Sequence, residues 1–331
     1  MFSERKKLYK EIEGFTESKV LCYVTGDRQN LEIQIAPDAL DHFAEHLDAI
    51  GVTKRISLIL YSRGGNTLAG WSIVNLVKQF CDELHVIIPS KAHSTATLIA
   101  LGASQIMMTK QATLGPIDPS VNGPLNPQAP GPNALARVPV SVESVTGYFE
   151  YAKSLGVQSE AEVTRLLLDL AAKINPLVLG NVYRSRSQIR MLGKRLLSSH
   201  IEDNTKIAKI LDFLCSESGS HDYTINRREA ANELGLTVVK PDKDQYKIIR
   251  SLHHDIVAEL DLQTPFDPNL VLGADAEKEY QFTRGLIESE AGGSTSFLSR
   301  GRLRRTQVMV APGQMQEAFE DRRTLEAWKH D

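Results

Sequence analysis

The sequence predicts an α/β protein with a layered, largely parallel sheet, flanking helices and an added helical C-terminal region. Three observations carry this. Short apolar runs recur between residues 19 and 120, segments of helical period separate them, and the junctions carry glycine or Ser/Thr clusters. Strands alternating with helices call for a parallel sheet covered on both faces through right-handed crossovers.

KVLCYVTG (19 to 26) is rich in β-branched and aromatic residues and reads as the first strand. PDALDHFAEHLDAIG (37 to 51) places apolar residues at 40, 43, 47 and 50, a helical spacing that stops on glycine. RISLILYS (55 to 62) is a nearly unbroken apolar run, as in strands buried on both faces, and it breaks at Gly64-Gly65. TLAGWSIVNLVKQFCD (67 to 82) is helical in period, ELHVIIP (83 to 89) is a buried strand, STATLIALGA (94 to 103) a short helix and QIMMT (105 to 109) a further strand.

Between Pro116 and Pro139 lie seven of the fourteen prolines, so residues 115–140 predict an irregular flap or arm. Helical patterns return over 142 to 156, 159 to 174 and 176 to 199, with Pro176 placed for a first turn. The expected organisation is a leader (1–18), a catalytic domain containing the flap (19–200), a helical region (201–262) and a polar extension (263–331).

With 38 basic and 41 acidic residues, a formal charge of -3 and 42% hydrophobic residues, nothing electrostatic recruits nucleic acid or an anionic membrane. Cys22, Cys81 and Cys215 have no metal-ligand spacing and no disulfide framework, which predicts a reducing compartment and no metal. MFSERKKLYKEIEGF has no apolar run behind its charges, and no stretch reaches the ~20 residues of a spanning helix, so a cytoplasmic location is expected.

Two strand-to-helix turns carry the chemistry. YSRGGN puts a glycine pair after a buried strand, and AHSTATLIALGA puts a serine at a helix start after the next strand. In a parallel sheet both lie at the carboxyl ends of their strands, where ligands bind. A serine there sits among unpaired N–H groups at the positive end of a helix. If the Gly65 and Thr95 N–H groups converge beside Ser94, they form an oxyanion hole; Gly64, Asn66 and His93 would line it. Read alone, Ser94 is an ordinary N-cap.

YSRGGN, the serine of KAHSTATLIALGA, the QIMMT strand and the TLGPIDP turn, in this order and spacing, resemble the Clp-protease/signal-peptide-peptidase-A superfamily of the Clp/crotonase fold. The resemblance is nearest to the serine dehydrogenase proteinase family and extends into PLVLGNVYRSRSQI and SHDYTINRREAANELGL. It implies a serine endopeptidase without a cofactor, acting on polypeptide as a homo-oligomer, with Ser94 as nucleophile and Gly65 and Thr95 as oxyanion donors. The family usually has a small Ala-Gly pair after the serine; this chain has Thr95-Ala96. Where Clp proteases place a histidine, this chain has GPIDP with Asp118, a poor base at its ordinary pKa of ~3.9. A lysine base, as in signal-peptide-peptidase-A-like enzymes, is therefore expected, Lys153 first, then Lys173 or Lys110.

Two other functions share the fold: crotonase-like acyl-coenzyme A chemistry, with Glu83 or Asp118 as nominal acid/base, and a scaffold that has lost its base. His221-Asp222 reads as the entry to a helix from 227 to 234 that is capped by Asn226 with Glu229. NRREAANELGL has no following recognition helix, which argues against DNA binding.

Overall fold

The computed structural model describes residues 1–117, 120–131, 135–217, 220, 222–311 and 313–330. The chain divides into two compact units: the first comprises 1–114, 226–232 and 236–331, the second 115–225 and 233–235.

The first unit begins with α1 (Phe2–Thr16) and β1 (Lys19–Thr25), then α2 (Leu40–Ile50), β2 (Thr53–Tyr61), α3 (Thr67–Val77), β3 (Cys81–Ile88), β4 (Lys91–Ala92), α4 (Thr95–Leu101), β5 (Gln105–Met108) and β6 (Thr113–Leu114). The second holds β7 (Ser120–Val121), β8 (Val140–Ser141), α5 (Val142–Ser154), α6 (Glu160–Lys173), α7 (Pro176–Leu197) and α8 (Asn204–Asp212). After β9 (Ile225–Asn226), the first unit resumes with α9 (Arg227–Asn232), β10 (Val238–Val239), α10 (Lys243–Glu259), α11 (Pro268–Leu272), β11 (Glu277–Ser289), β12 (Gly293–Ala311) and β13 (Gln314–His330).

The main sheet runs β10-β5-β3-β2-β1-β11-β12-β13. Its first five strands are parallel and β11 to β13 antiparallel. The apolar runs read as buried strands become β1, β2 and β3, whose central residues have almost no solvent exposure. One core layer packs α1 and α10 against the sheet through Tyr9, Ile12, Val20, Cys22, Ile59 and Ile256.

Residues 277–330 differ from the expected polar extension by adding three strands to the sheet. Their charges pair across the strands: Arg302 with Glu277 and Glu279, and Arg305 with Glu317. Such pairs support a half-solvated sheet without apolar alternation. The expected leader is also structural. Arg5, fully buried, donates to Glu288 through Nε at 2.8 Å and Nη2 at 2.6 Å, and to Glu259 at 2.6 Å, tying α1 to β11 and α10.

In the second unit β7 and β8 pair antiparallel, and the Asn126 amide donates to the carbonyls of Val121 and Val138, which closes part of the proline-rich segment. Val140, Val142, Val178 and Val182 form its small core. Among the described residues no single helix is long and apolar enough to cross a membrane; α6 and α7 pass that test only as a pair bent by 109°. The three cysteines are buried, and burial pushes the Cys22 thiol up to about 12.

Two histidines are buried in the first unit. His46 is hydrogen-bonded to Ser289 and Thr295, whereas His253, 8% exposed, has no hydrogen-bond partner for either ring nitrogen among the described residues. Burial, helped by His254 and Lys91, lowers the His253 pKa to about 4. The unfolded chain therefore takes up this proton near its ordinary pKa of ~6.5 while the folded chain does not. Stability from this site is complete above about 6.5 and is lost as pH falls toward 4. The ring lies 5.5 Å from that of Tyr61, so His253→Phe keeps an aromatic shape there. In chemical denaturation the variant should lose about 2 kcal/mol less than the parent between pH 7.5 and pH 5. Equal losses would show that His253 does not titrate in this way.

Candidate functional site

β2 ends at Tyr61 and runs into Ser62, while β4 carries the chain from β3 toward Ser94. Ser62 and Ala92 form a parallel bridge, with Ser62 N donating to Lys91 O at 3.2 Å and His93 N to Ser62 O at 3.0 Å. The glycine turn and the serine turn therefore hang from one hydrogen-bonded frame. Ser62 Oγ also accepts from Thr25 Oγ1 at 2.6 Å and from the Gly64 N–H at 2.9 Å.

Both glycines need their lack of a side chain. Gly64 has φ +111, and a Cβ there would lie 2.8 Å from Ser94 Cβ and 2.9 Å from His93 O. Gly65 has φ +149, and a Cβ there would lie 2.3 Å from Ile35 O. Both values fall where only glycine is unstrained. Ile35 donates to Gly64 O at 2.9 Å and accepts from Asn66 N at 2.7 Å. In a parallel bridge of this kind the N–H and C=O of Gly65 itself face away from Ile35.

Ser94 is half-buried at φ +52, ψ -117, and its side chain makes no capping bond to α4. An N-cap serine takes an extended backbone and accepts from the N–H of the second or third helical residue. Ser94 does neither. Positive φ at a non-glycine residue is uncommon, costs about 1–3 kcal/mol, and clusters at functional sites. A serine raised on a sharp strand-to-helix turn is the geometry of a nucleophile elbow.

Thr95 is buried, and its Oγ1 donates to Gly65 O at 2.7 Å. Among the described residues no hydrogen bond is made by the Gly65 or Thr95 N–H. The carboxamide oxygen of Asn66 accepts from Ala69 N at 2.8 Å, so this side chain caps α3. His93 extends to β6, where Nε2 is hydrogen-bonded to Thr113 Oγ1 at 2.9 Å. Gly64, Gly65, Ser94 and Thr95 are thus brought together, with Asn66 and His93 bracing the turns.

The proposed bases have other surroundings. Lys153 donates to Glu150 at 2.8 Å on the exposed side of α5. Lys173 is exposed in the last turn of α6. Lys110 lies 5.1 Å from the centre of the Tyr246 ring. Asp118 and His221 lie outside the described residues. Glu83 sits near the amino end of β3, opposite the edge that carries Ser94, and is paired with Arg55 at 2.6 Å. Asn226 Oδ1 accepts from Arg228 N at 2.9 Å and Glu229 N at 3.2 Å, capping α9 as its sequence predicts.

Sequence reasoning missed a cluster at the carboxyl edge of the sheet. Lys91 Nζ donates to Asp27 at 2.7 Å, Tyr61 OH donates to it at 2.6 Å, and the Lys91 ammonium lies 5.5 Å from the Tyr61 ring centre. Burial raises the Asp27 pKa, but the Lys91 and Tyr61 bonds outweigh it and hold the carboxyl below its ordinary value. No local motif marks this cluster, because its members come from three separate places in the chain, after β1, at the end of β2 and in β4.

Two uncharacterized proteins of Methanocaldococcus jannaschii are similar to this chain. One is 31% identical over 185 residues, covering 56% of this chain and 54% of that protein. The other is 30% identical over 197 residues, covering 59% and 56%. The chain spans about half the length of the curated relatives it matches. Among solved structures, a variant of the 1510-N membrane-bound stomatin-specific protease is 16% identical with a TM-score of 0.39, covering 64% of this chain and 77% of that one. A ClpP1 variant from Listeria monocytogenes is 12% identical with a TM-score of 0.36, covering 71% and 99%. Residues 5–134, which contain both turns of the site, match the family of ClpP-like SDH-type serine proteinases.

Proposed function

We propose that this chain is a serine endopeptidase that cleaves polypeptide through an acyl-enzyme on Ser94. The observation that carries the reading is the strained, uncapped Ser94 backbone set against the Gly64 turn. A plain helix cap has no reason to hold that conformation. In the reaction, Ser94 Oγ attacks the scissile carbonyl and a lysine takes its proton. The negative oxygen of the tetrahedral intermediate accepts from the Gly65 and Thr95 N–H groups. Collapse expels the amine, which receives the proton back, and water hydrolyses the ester.

Gly65 rather than Gly64 is assigned as donor because the Gly64 N–H is already held by Ser62 Oγ. Lys153 is the first candidate for the base, ahead of Lys173 and Lys110, on the resemblance alone. Crotonase-like chemistry gains no support from Glu83, which its pairing with Arg55 commits to the other edge of the sheet.

A fluorophosphonate probe should label the protein at Ser94 and fail to label Ser94→Ala, and hydrolysis of a casein-like unfolded chain should vanish in the same variant. Equal labelling of both proteins would remove the assignment. Gly64→Ala introduces a methyl group 2.8 Å from Ser94 Cβ at a strained φ. It should reduce labelling by at least about 10²-fold, the scale of a 1 Å misplacement, while circular dichroism still reports a folded α/β protein. Unchanged labelling would mean that the two turns do not work together.

A further inference from the structure

The side chain of Thr95 has an unusual setting. It is 1% exposed. Its hydroxyl donates to the Gly65 carbonyl at 2.7 Å. Its Cγ2 fills a notch on α3 that exists because residue 70 is glycine: a Cβ at Gly70 would lie 2.4 Å from it. The methyl group thus fixes which way the hydroxyl points.

The Gly64-Gly65 segment has more backbone freedom than any other dipeptide. Ile35 holds the Gly64 C=O and the Asn66 N–H on one side. On the other side, the hydrogen bond found for Gly65 is the one from Thr95 Oγ1. We infer that the Thr95 side chain is a positioning residue: its hydroxyl latches the glycine turn to the start of α4 and so fixes the angle between the two N–H groups beside Ser94. This rests on reading Ser94 as the nucleophile. Donors aimed at a developing oxyanion are effective because they are already oriented, so a loosened Gly65 peptide weakens the transition state and leaves substrate binding nearly unchanged.

The inference separates hydroxyl from methyl. Thr95→Val keeps the shape and loses the donor; Thr95→Ser keeps the donor and loses the methyl group. Thr95→Val should slow fluorophosphonate acylation and lower kcat on a peptide substrate by about 10²-fold with KM changed little. Thr95→Ser should stay within a few-fold of the parent in rate while melting at a lower temperature. If Thr95→Val fails to fold, Thr95→Ala against Thr95→Ser gives the same contrast, the serine restoring the rate. A purely structural role predicts rates that follow melting temperature, and that pattern, or parent-like rates for Thr95→Val, overturns the inference. Ser94→Ala run in parallel distinguishes the outcomes: labelling that persists there removes the nucleophile reading itself, whereas its loss alongside a fast Thr95→Val removes only the latch.

Discussion

The bridge between Ser62 and Ala92 is the constraint on which the rest of the site depends. Neither the glycine turn nor the serine turn belongs to a long strand at the point where it matters, yet each begins two residues from this pairing. Thr25 at the end of β1 reaches the same residue through its hydroxyl, so the ends of β1, β2 and β4 meet at Ser62. Loops that carry chemistry need a rigid support. Here the support is a buried hydroxyl and a few backbone bonds next to the two turns.

The sheet that carries this frame is completed from the far end of the chain. β11 pairs with β1 on the side away from β2, so a strand more than 250 residues later closes the first one. The Arg5–Glu288 pair secures the same junction from the helical layer. Glu288 also accepts from Tyr9 and Ser294, which gives a buried carboxylate the partners it needs away from water. The first and last segments, both read as appendages from sequence, are therefore parts of one core.

How much was legible follows from where the free energy lies. β1, β2, β3 and β5 are largely buried, so their sequences carry apolar runs and their limits fall within about two residues of those expected. β13 and the later half of β12 are mostly solvated and held by pairs such as Arg305–Glu317, so their sequences look like a polar tail. The glycine pair and the turn at Ser94 were legible as turns because turn chemistry is local. The Asp27–Lys91–Tyr61 cluster was not, since nothing in the spacing of these residues specifies that they meet.

Positive φ at Ser94 raises the question of what holds it. The residue cannot relax toward a helical or extended backbone without moving α4, and every residue of α4 is buried. Thr97 Oγ1 donates to Ala92 O at 2.8 Å, and Ala96 N donates to His93 O at 2.9 Å, so the helix is fastened on both sides of the strained residue. The cost at Ser94, about 1–3 kcal/mol, is small beside the burial of Leu98, Ile99 and Leu101, each contributing roughly 1.5–3 kcal/mol. A short, wholly buried helix directly after the serine is therefore what allows a strained backbone to persist, and an exposed helix in its place would let the turn unwind.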